Sequence, residues 1–110
     1  MNNERLTDEL ATRVMGWRLA PGRYIKSSRN WTPRWKFAPL TNLVDAIRLL
    51  DAAAPQKYTM DGGSESSFLV RVQMGTETGV AEGQSRARAI TCAIARALGI
   101  DVAGVEGHEY

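Results

Sequence analysis

The order of hydrophobic periodicities along the chain constrains its fold most strongly. Three segments repeat apolar residues at helical spacing, and a strand-like alternation separates the last two. The alternation is clearest in residues 68–74, where Phe68, Val70, Val72 and Met74 occupy every second position. The order predicts an α+β fold, with three helices packed on a small antiparallel sheet in a sandwich-like α-β-β-α-β-β-β-α arrangement.

The first and third helical segments have well-marked ends. The first is predicted to begin at Asn3 or Thr7, both good N-caps, and to end at Met15, because Gly16 readily adopts the left-handed conformation. The third is predicted over Ser85–Leu98, with its serine as the cap and a glycine directly after it. Its many alanines predict close packing on the sheet. Three of its residues are predicted to lie on the opposite side: Arg88, Thr91 and Arg96.

The middle helix is predicted over Thr41–Ala53, with its threonine as the N-cap and Pro55 as the stop. One apolar stripe is predicted to face the core: Leu43, Val44, Ile47, Leu50 and Ala54. Three charged residues are predicted to face the other way: Asp45, Arg48 and Asp51.

Short strands account for most of the remaining chain. Three are predicted to form a meander: Lys57–Met60, Phe68–Met74 and Thr78–Glu82. Their turns are predicted at Asp61–Ser64 and Gly75–Glu77. Between the first two helices, turn signals favour a ragged hairpin with arms Arg23–Lys26 and Arg34–Phe37, or else an extended loop.

Length and composition limit the class of protein. With 110 residues, we expect one domain over residues 1–101 and a flexible tail over 102–110. The single cysteine, Cys92, excludes a disulfide scaffold and a cysteine-based zinc site. No stretch approaches the roughly 20 apolar residues that cross a bilayer, and the N-terminus lacks the pattern of a signal peptide. We therefore expect a cytoplasmic protein without membrane partners.

Several motifs follow one another along the chain: LATRVMGW at residues 10–17, FAPLTN at 37–42 leading into a helix with Asp45-Ala46, two strands, and an alanine-rich helix after Ser85. Together they resemble the phage ABA-sandwich domain family of small phage and prophage proteins. The resemblance covers roughly residues 6–99. The chain departs from the family in its long basic linker and in Leu40, where members commonly carry serine. The resemblance implies an α/β sandwich from a mobile element, and it implies no activity.

Catalytic and cofactor-binding patterns are absent from the sequence. The only histidine, His108, lies three residues from the C-terminus, and catalytic or metal-bound histidines need a rigid element. The carboxylates are scattered, and Gly62-Gly63 is too short to cradle a phosphate. We expect no enzyme activity, no metal and no cofactor.

The segment Trp17–Phe37 concentrates the chemistry that could bind a partner, and we call it the basic aromatic segment. It holds six cations, no acidic residue and five of the eight aromatic residues of the chain. Nine residues are candidates for contacting a partner: Arg18, Arg23, Tyr24, Lys26, Arg29, Trp31, Arg34, Trp35 and Lys36.

Three interpretations of this segment remain open. Tryptophan, tyrosine and arginine are enriched at protein-binding hot spots. Cations with exposed aromatics also suit single-stranded nucleic acid. Alternatively the tryptophans pack in the core and the arginine stems cover an apolar edge.

The sequence favours a non-catalytic phage or prophage accessory protein in the host cytoplasm. Its expected partner is a host or phage protein, for instance a host defence system such as CRISPR that it inhibits. Nucleic-acid binding and a structural phage role are the alternatives, and a homodimer could cover any apolar sheet face left over.

Overall fold

The computed structural model describes residues 2–62, 68–83 and 85–102. Within these ranges the chain forms three helices, α1 to α3: Asn3–Arg13, Leu43–Ala53 and Arg86–Ala97. The first antiparallel sheet contains β1 to β3: Arg18–Ala20, Arg23–Ser27 and Asn30–Pro33. The second contains β4 to β6: Lys57–Gly62, Phe68–Met74 and Glu77–Gly83. The predicted α+β class and the order of its helices and strand groups are confirmed.

Helix α3 is the centre of the core. It lies across β5 and β6 on one side and packs against α2 on the other. A Cβ atom at Gly79 would collide with the backbone of Ala93 and Ala97, so β6 and α3 touch at this point. The alanine-rich face of α3 therefore allows the close approach to a sheet that the sequence predicts.

The same packing corrects the prediction for Thr91. This residue is fully buried, because α3 packs against the second sheet and also against α2. Its hydroxyl donates a hydrogen bond of 2.9 Å to the carbonyl oxygen of Pro39. The bond satisfies a buried polar group and ties the segment before α2 to the central helix.

The helix caps agree with the sequence to within a residue or two. The side chain of Asn2 accepts from the Arg5 N–H at 2.8 Å, so α1 begins one residue beyond its cap at Asn3. Asn42, and not Thr41, caps α2, because its Oδ1 accepts from the Asp45 N–H at 3.2 Å. Ser85 caps α3 as predicted.

Helix α2 is rotated relative to the predicted stripe. Leu43, Val44 and Ile47 remain 40%, 60% and 38% exposed, and Asp45 is buried in their place. The Asp45 carboxylate accepts a 2.9 Å hydrogen bond from the Ala38 N–H and lies 3.7 Å from Arg48. These partners lower the cost of burying the charge. The core face consists of Asp45, Ala46, Leu49 and Leu50.

The first sheet differs from the predicted hairpin. Its β2 strand contains the predicted arm Arg23–Lys26, but the second arm is wrong, because Arg34–Lys36 forms a 3-10 helix. The partner strand is Asn30–Pro33, and Arg18–Ala20 adds a third strand. Pro33 fits there because β3 is an edge strand, where a missing backbone N–H breaks no ladder.

The remaining predictions concern the turns and the tail. Val102, the first residue of the predicted tail, is buried. Residues 103–110, including His108, lie outside the described part of the chain, as do Gly63 and Ser64 of the predicted turn. Among the described residues, no helix has the length and apolar character needed to span a membrane.

Candidate functional site

The inner face of the first sheet belongs to the core. The rings of Trp17, Tyr24 and Phe37 form a cluster with centroid distances of 5.0 to 6.0 Å. Tyr24 and Phe37 are buried, and Trp17 packs partly buried against the same core. The core interpretation is therefore correct for these three aromatic residues. They close the space between α1 and the first sheet.

A polar network anchors the cluster to α1. The Tyr24 hydroxyl donates a 2.7 Å hydrogen bond to Asp8, whose other carboxylate oxygen pairs with Arg34. Glu4 lies 3.6 Å from the same guanidinium. Burial and, to a smaller extent, the hydrogen bond to Asp8 raise the pKa of Tyr24 to about 12. Tyr24 and Arg34 thus connect two elements of the fold, although both were candidates for partner contact.

The outer face of the first sheet has the opposite character. Arg18, Ile25 and Trp31 are cross-strand neighbours on β1, β2 and β3. The guanidinium of Arg23 lies 5.3 Å from the centroid of the Trp31 ring, and 54% of Trp31 is exposed. Both arginines are exposed.

Arg29 extends this surface at the turn between β2 and β3. A shallow depression of about 300 Å³ is lined by seven residues: Arg23, Ile25, Ser27, Ser28, Arg29, Asn30 and Trp31. We call Arg18, Arg23, Arg29 and Trp31 the basic face. None of its three arginines forms an ion pair with a carboxylate of the described residues.

The other three candidate residues lie apart from the basic face. Lys26 places its Nζ 5.0 Å from the Trp17 ring, on the core side of the strand. Trp35, on the 3-10 helix, is 76% exposed, and the Nζ of Lys36 lies 5.9 Å from its ring. The structure therefore divides the nine candidates into the four residues of the basic face, Tyr24 and Arg34 of the core network, Lys26 beside Trp17, and a separate Trp35–Lys36 pair.

A groove of about 500 Å³ lies between α1, the β1–β2 turn and the segment that leads into α2. Its walls include Tyr24, Trp35, Phe37 and Leu40, and its charged lining residues are Glu4 and Arg34. The volume is within the range of small-ligand pockets. The opposite charges of Glu4 and Arg34 largely offset each other. The groove therefore offers a ligand mainly apolar contact surface and little net charge.

Four residues of these sites were not among the predicted candidates: Ile25, which lies between Arg18 and Trp31, and Glu4, Asp8 and Leu40 around the core network and groove. Ile25 was detectable, because Arg23 and Ile25 alternate with Tyr24 in the predicted strand. The other three had no local signal, since α1 and the groove are joined only by tertiary packing. Across the described ranges, no three histidine, cysteine or acidic residues are placed to hold a metal ion.

No protein-family model matches the chain, and no curated protein is similar to it in sequence. Among solved structures, a phage protein from Bacillus cereus ATCC 14579, known from a 2.0 Å crystal structure, shares the fold with a TM-score of 0.73. The two sequences are 13% identical, and the alignment covers 92% of this chain and 91% of that one. The likeness extends over nearly the whole of both chains, and at this identity it establishes the fold alone.

Proposed function

We propose that the protein is a non-catalytic phage or prophage accessory protein of the ABA-sandwich type that binds an acidic surface of another protein. The fold shared with a phage protein supports the origin. The single observation that carries the binding proposal is the basic face, where three exposed arginines share a sheet surface with a half-exposed tryptophan and form no ion pair with a carboxylate of the described residues.

The residue types of the basic face fit a protein-binding hot spot. Tryptophan and arginine are the side chains most enriched at such centres, where a buried aromatic anchor is surrounded by contacts that exclude water. Arg18 and Trp31 lie on the two outer strands of one sheet, on either side of Ile25, and the ladder fixes their spacing. A rigid platform reduces the entropy cost of binding. An acidic protein surface supplies the complementary charge.

Single-stranded nucleic acid is the second candidate, because unpaired arginines can neutralise phosphates. The geometry of the tryptophans argues against it as the first choice. The guanidinium of Arg23 lies over the ring of Trp31, and the ammonium of Lys36 lies near the ring of Trp35. A base that stacked on those ring faces would have to displace the cations.

A host defence complex is one class of target that this proposal includes. The exposed binding surface carries positive charge, so the protein would not act by mimicking DNA. It would instead dock on an acidic region of the target. The proposed site of action is the cytoplasm of the host cell.

The proposal is tested by affinity capture from host lysate, with and without nuclease, using an Arg18→Ala/Arg23→Ala/Trp31→Ala variant. The matched control is Lys57→Ala/Arg71→Ala/Tyr58→Ala, which removes two exposed cations and one exposed aromatic from the second sheet. We expect a nuclease-resistant protein that the control retains and the basic-face variant loses. The captured protein is then purified, and calorimetry measures its affinity for the wild type, the basic-face variant and the control variant.

The outcomes separate the two candidates. Loss of all captured material on nuclease treatment, with a steep fall of affinity as salt rises, would favour the nucleic-acid alternative. Equal capture by the wild type and both variants would show that the basic face is not the binding site. Weakening of the purified complex by about 2 kcal/mol or more in the basic-face variant would identify it as a hot spot.

A further inference from the structure

The exposed face of α2 has the pattern of a surface that is covered in solution. The helix turns a carboxylate inward at Asp45 and leaves Leu43, Val44 and Ile47 in contact with water. Turning the helix to bury these side chains would expose Ala46 and Leu49 instead, so an isolated chain leaves an apolar face of α2 in contact with water in either orientation. Contiguous apolar side chains on a helix face of this kind mark an interaction surface.

Charged residues of opposite sign lie on the same face. Arg48 and Asp51 are both exposed, one turn apart, next to the apolar residues. Arg48 pairs at 3.7 Å with Asp45 of its own chain, and its side chain is 68% exposed. Asp51 makes no ion pair with any described residue of the chain. The face therefore carries its own charge complement, which is the property that an isologous interface requires.

We propose that this face binds a second copy of the same chain, with the two α2 helices antiparallel across a two-fold axis. The axis crosses the helix pair at the level midway between Leu49 and Leu50. Arg48 of each copy then lies level with Asp51 of the other copy. It brings Val44 level with Pro55 of the second copy, and Ile47 level with its Ala52. The pairs that Val44, Ile47, Arg48 and Asp51 form in this register are apolar with apolar or cation with anion, whereas Leu43 lies level with Gln56.

The expected strength of the dimer follows from its size. An 11-residue helix is about 16 Å long, so an antiparallel pair buries an area at the small end of specific interfaces. The dimer should therefore dissociate in the range of about 1 to 100 µM, because a small interface must offset the full entropy of association. The basic face lies on the first sheet and uses none of these residues.

Sedimentation equilibrium of the full chain over a range from about 1 to 500 µM tests the proposal, since it spans the expected dissociation constant. The Val44→Asp variant should weaken the dimer by about 50-fold or more, because it places a charge in the apolar centre. Leu19→Asp is the matched control, because Leu19 is similarly exposed but lies on the first sheet, and it should leave the dissociation constant unchanged.

A charge exchange tests the register. Arg48→Asp and Asp51→Arg alone place like charges opposite each other, and each should weaken the dimer by about 10-fold. The double variant restores opposite charges and should return the dissociation constant to within about threefold of the wild type. A protein that stays monomeric throughout the range would overturn the dimer. A dimer that resists Val44→Asp, or a double variant that is weaker than both single ones, would overturn this surface or this register.

Discussion

The two sheets of the protein have the same antiparallel three-stranded order but different surroundings. The second sheet buries Val70, Val72 and Ala81 under α3, and Gly79 touches that helix directly. The first sheet buries only Tyr24, and its opposite face carries exposed arginines. The second sheet is therefore part of the core, whereas the first is attached to the core through one aromatic cluster and one polar network.

The charges on the open faces of the two sheets differ as well. The open face of the second sheet mixes Lys57 and Arg71 with Asp61 and Glu82, so the charges of both signs lie close together. All charged side chains on the open face of the first sheet are cations, because the basic aromatic segment contains no acidic residue. The difference indicates that the second sheet mainly stabilises the fold and that the first presents a surface for binding.

The largest expected effect is at the contact between the second sheet and α3. Gly79→Val should destabilise the protein by about 4 kcal/mol or more, since its Cβ would collide with the backbone of Ala93 and not with a side chain that can move. Urea unfolding measures the loss. The neighbouring exposed variant Thr78→Ala should change stability by less than about 0.5 kcal/mol. Equal effects of the two substitutions would contradict the central position of this contact.

The polar network should contribute less than the core contact. Asp8→Ala removes the acceptor of the Tyr24 hydroxyl and the closest carboxylate of Arg34, and we expect a loss of about 3 kcal/mol. Glu9→Ala is the control, because that carboxylate is exposed and lies 3.9 Å from Arg13, so its loss should cost less than about 0.5 kcal/mol. A small effect at both positions would show that the first sheet does not depend on this network.

The pH dependence of the first sheet follows from Tyr24. Its pKa is raised from 10.0 to about 12 in the folded protein, so the folded state favours the neutral phenol. The stabilisation is fully present below pH 10 and is lost as the pH rises from about 10 to about 12, by about 2.7 kcal/mol at most.

Absorbance near 295 nm, compared between the wild type and Tyr24→Phe, isolates the titration of this residue. A midpoint close to 10 would show that the phenol is solvated and that the cluster does not close the core. A midpoint close to 12 would support the buried network, and Tyr24→Phe should then remove the corresponding pH dependence of urea unfolding.

The smallest effect on stability is expected on the basic face. Arg23→Ala removes the guanidinium above Trp31, and the loss should be under about 1 kcal/mol, because both side chains are exposed. Trp31 fluorescence should still change, because the ring loses its charged neighbour. A loss of several kcal/mol would mean that the basic face holds the fold together, and the contrast between the sheets would fail.

Much of the second half of the fold was predictable because its signals are local. Alternation marks β5, a serine and a glycine enclose α3, and alanine spacing indicates its packing face. The orientation of α2 was not predictable in this way. Leu43, Val44 and Ile47 form as good a helical stripe as Ala46, Leu49 and Leu50, and the choice between them depends on tertiary contacts such as that of Asp45 with the Ala38 N–H.

The sequence by itself determined the α+β class, the Ser85 cap of α3 and the concentration of cations and aromatics between Trp17 and Phe37. These depend on spacing, cap chemistry and composition, which are properties of neighbouring residues. Only the tertiary structure decided which members of that segment are exposed. Tyr24 and Arg34 meet Asp8 of α1, whereas Trp31 and Arg23 face solvent, because the alternation of a strand assigns neighbours to opposite faces and the packing of α1 decides which face is buried.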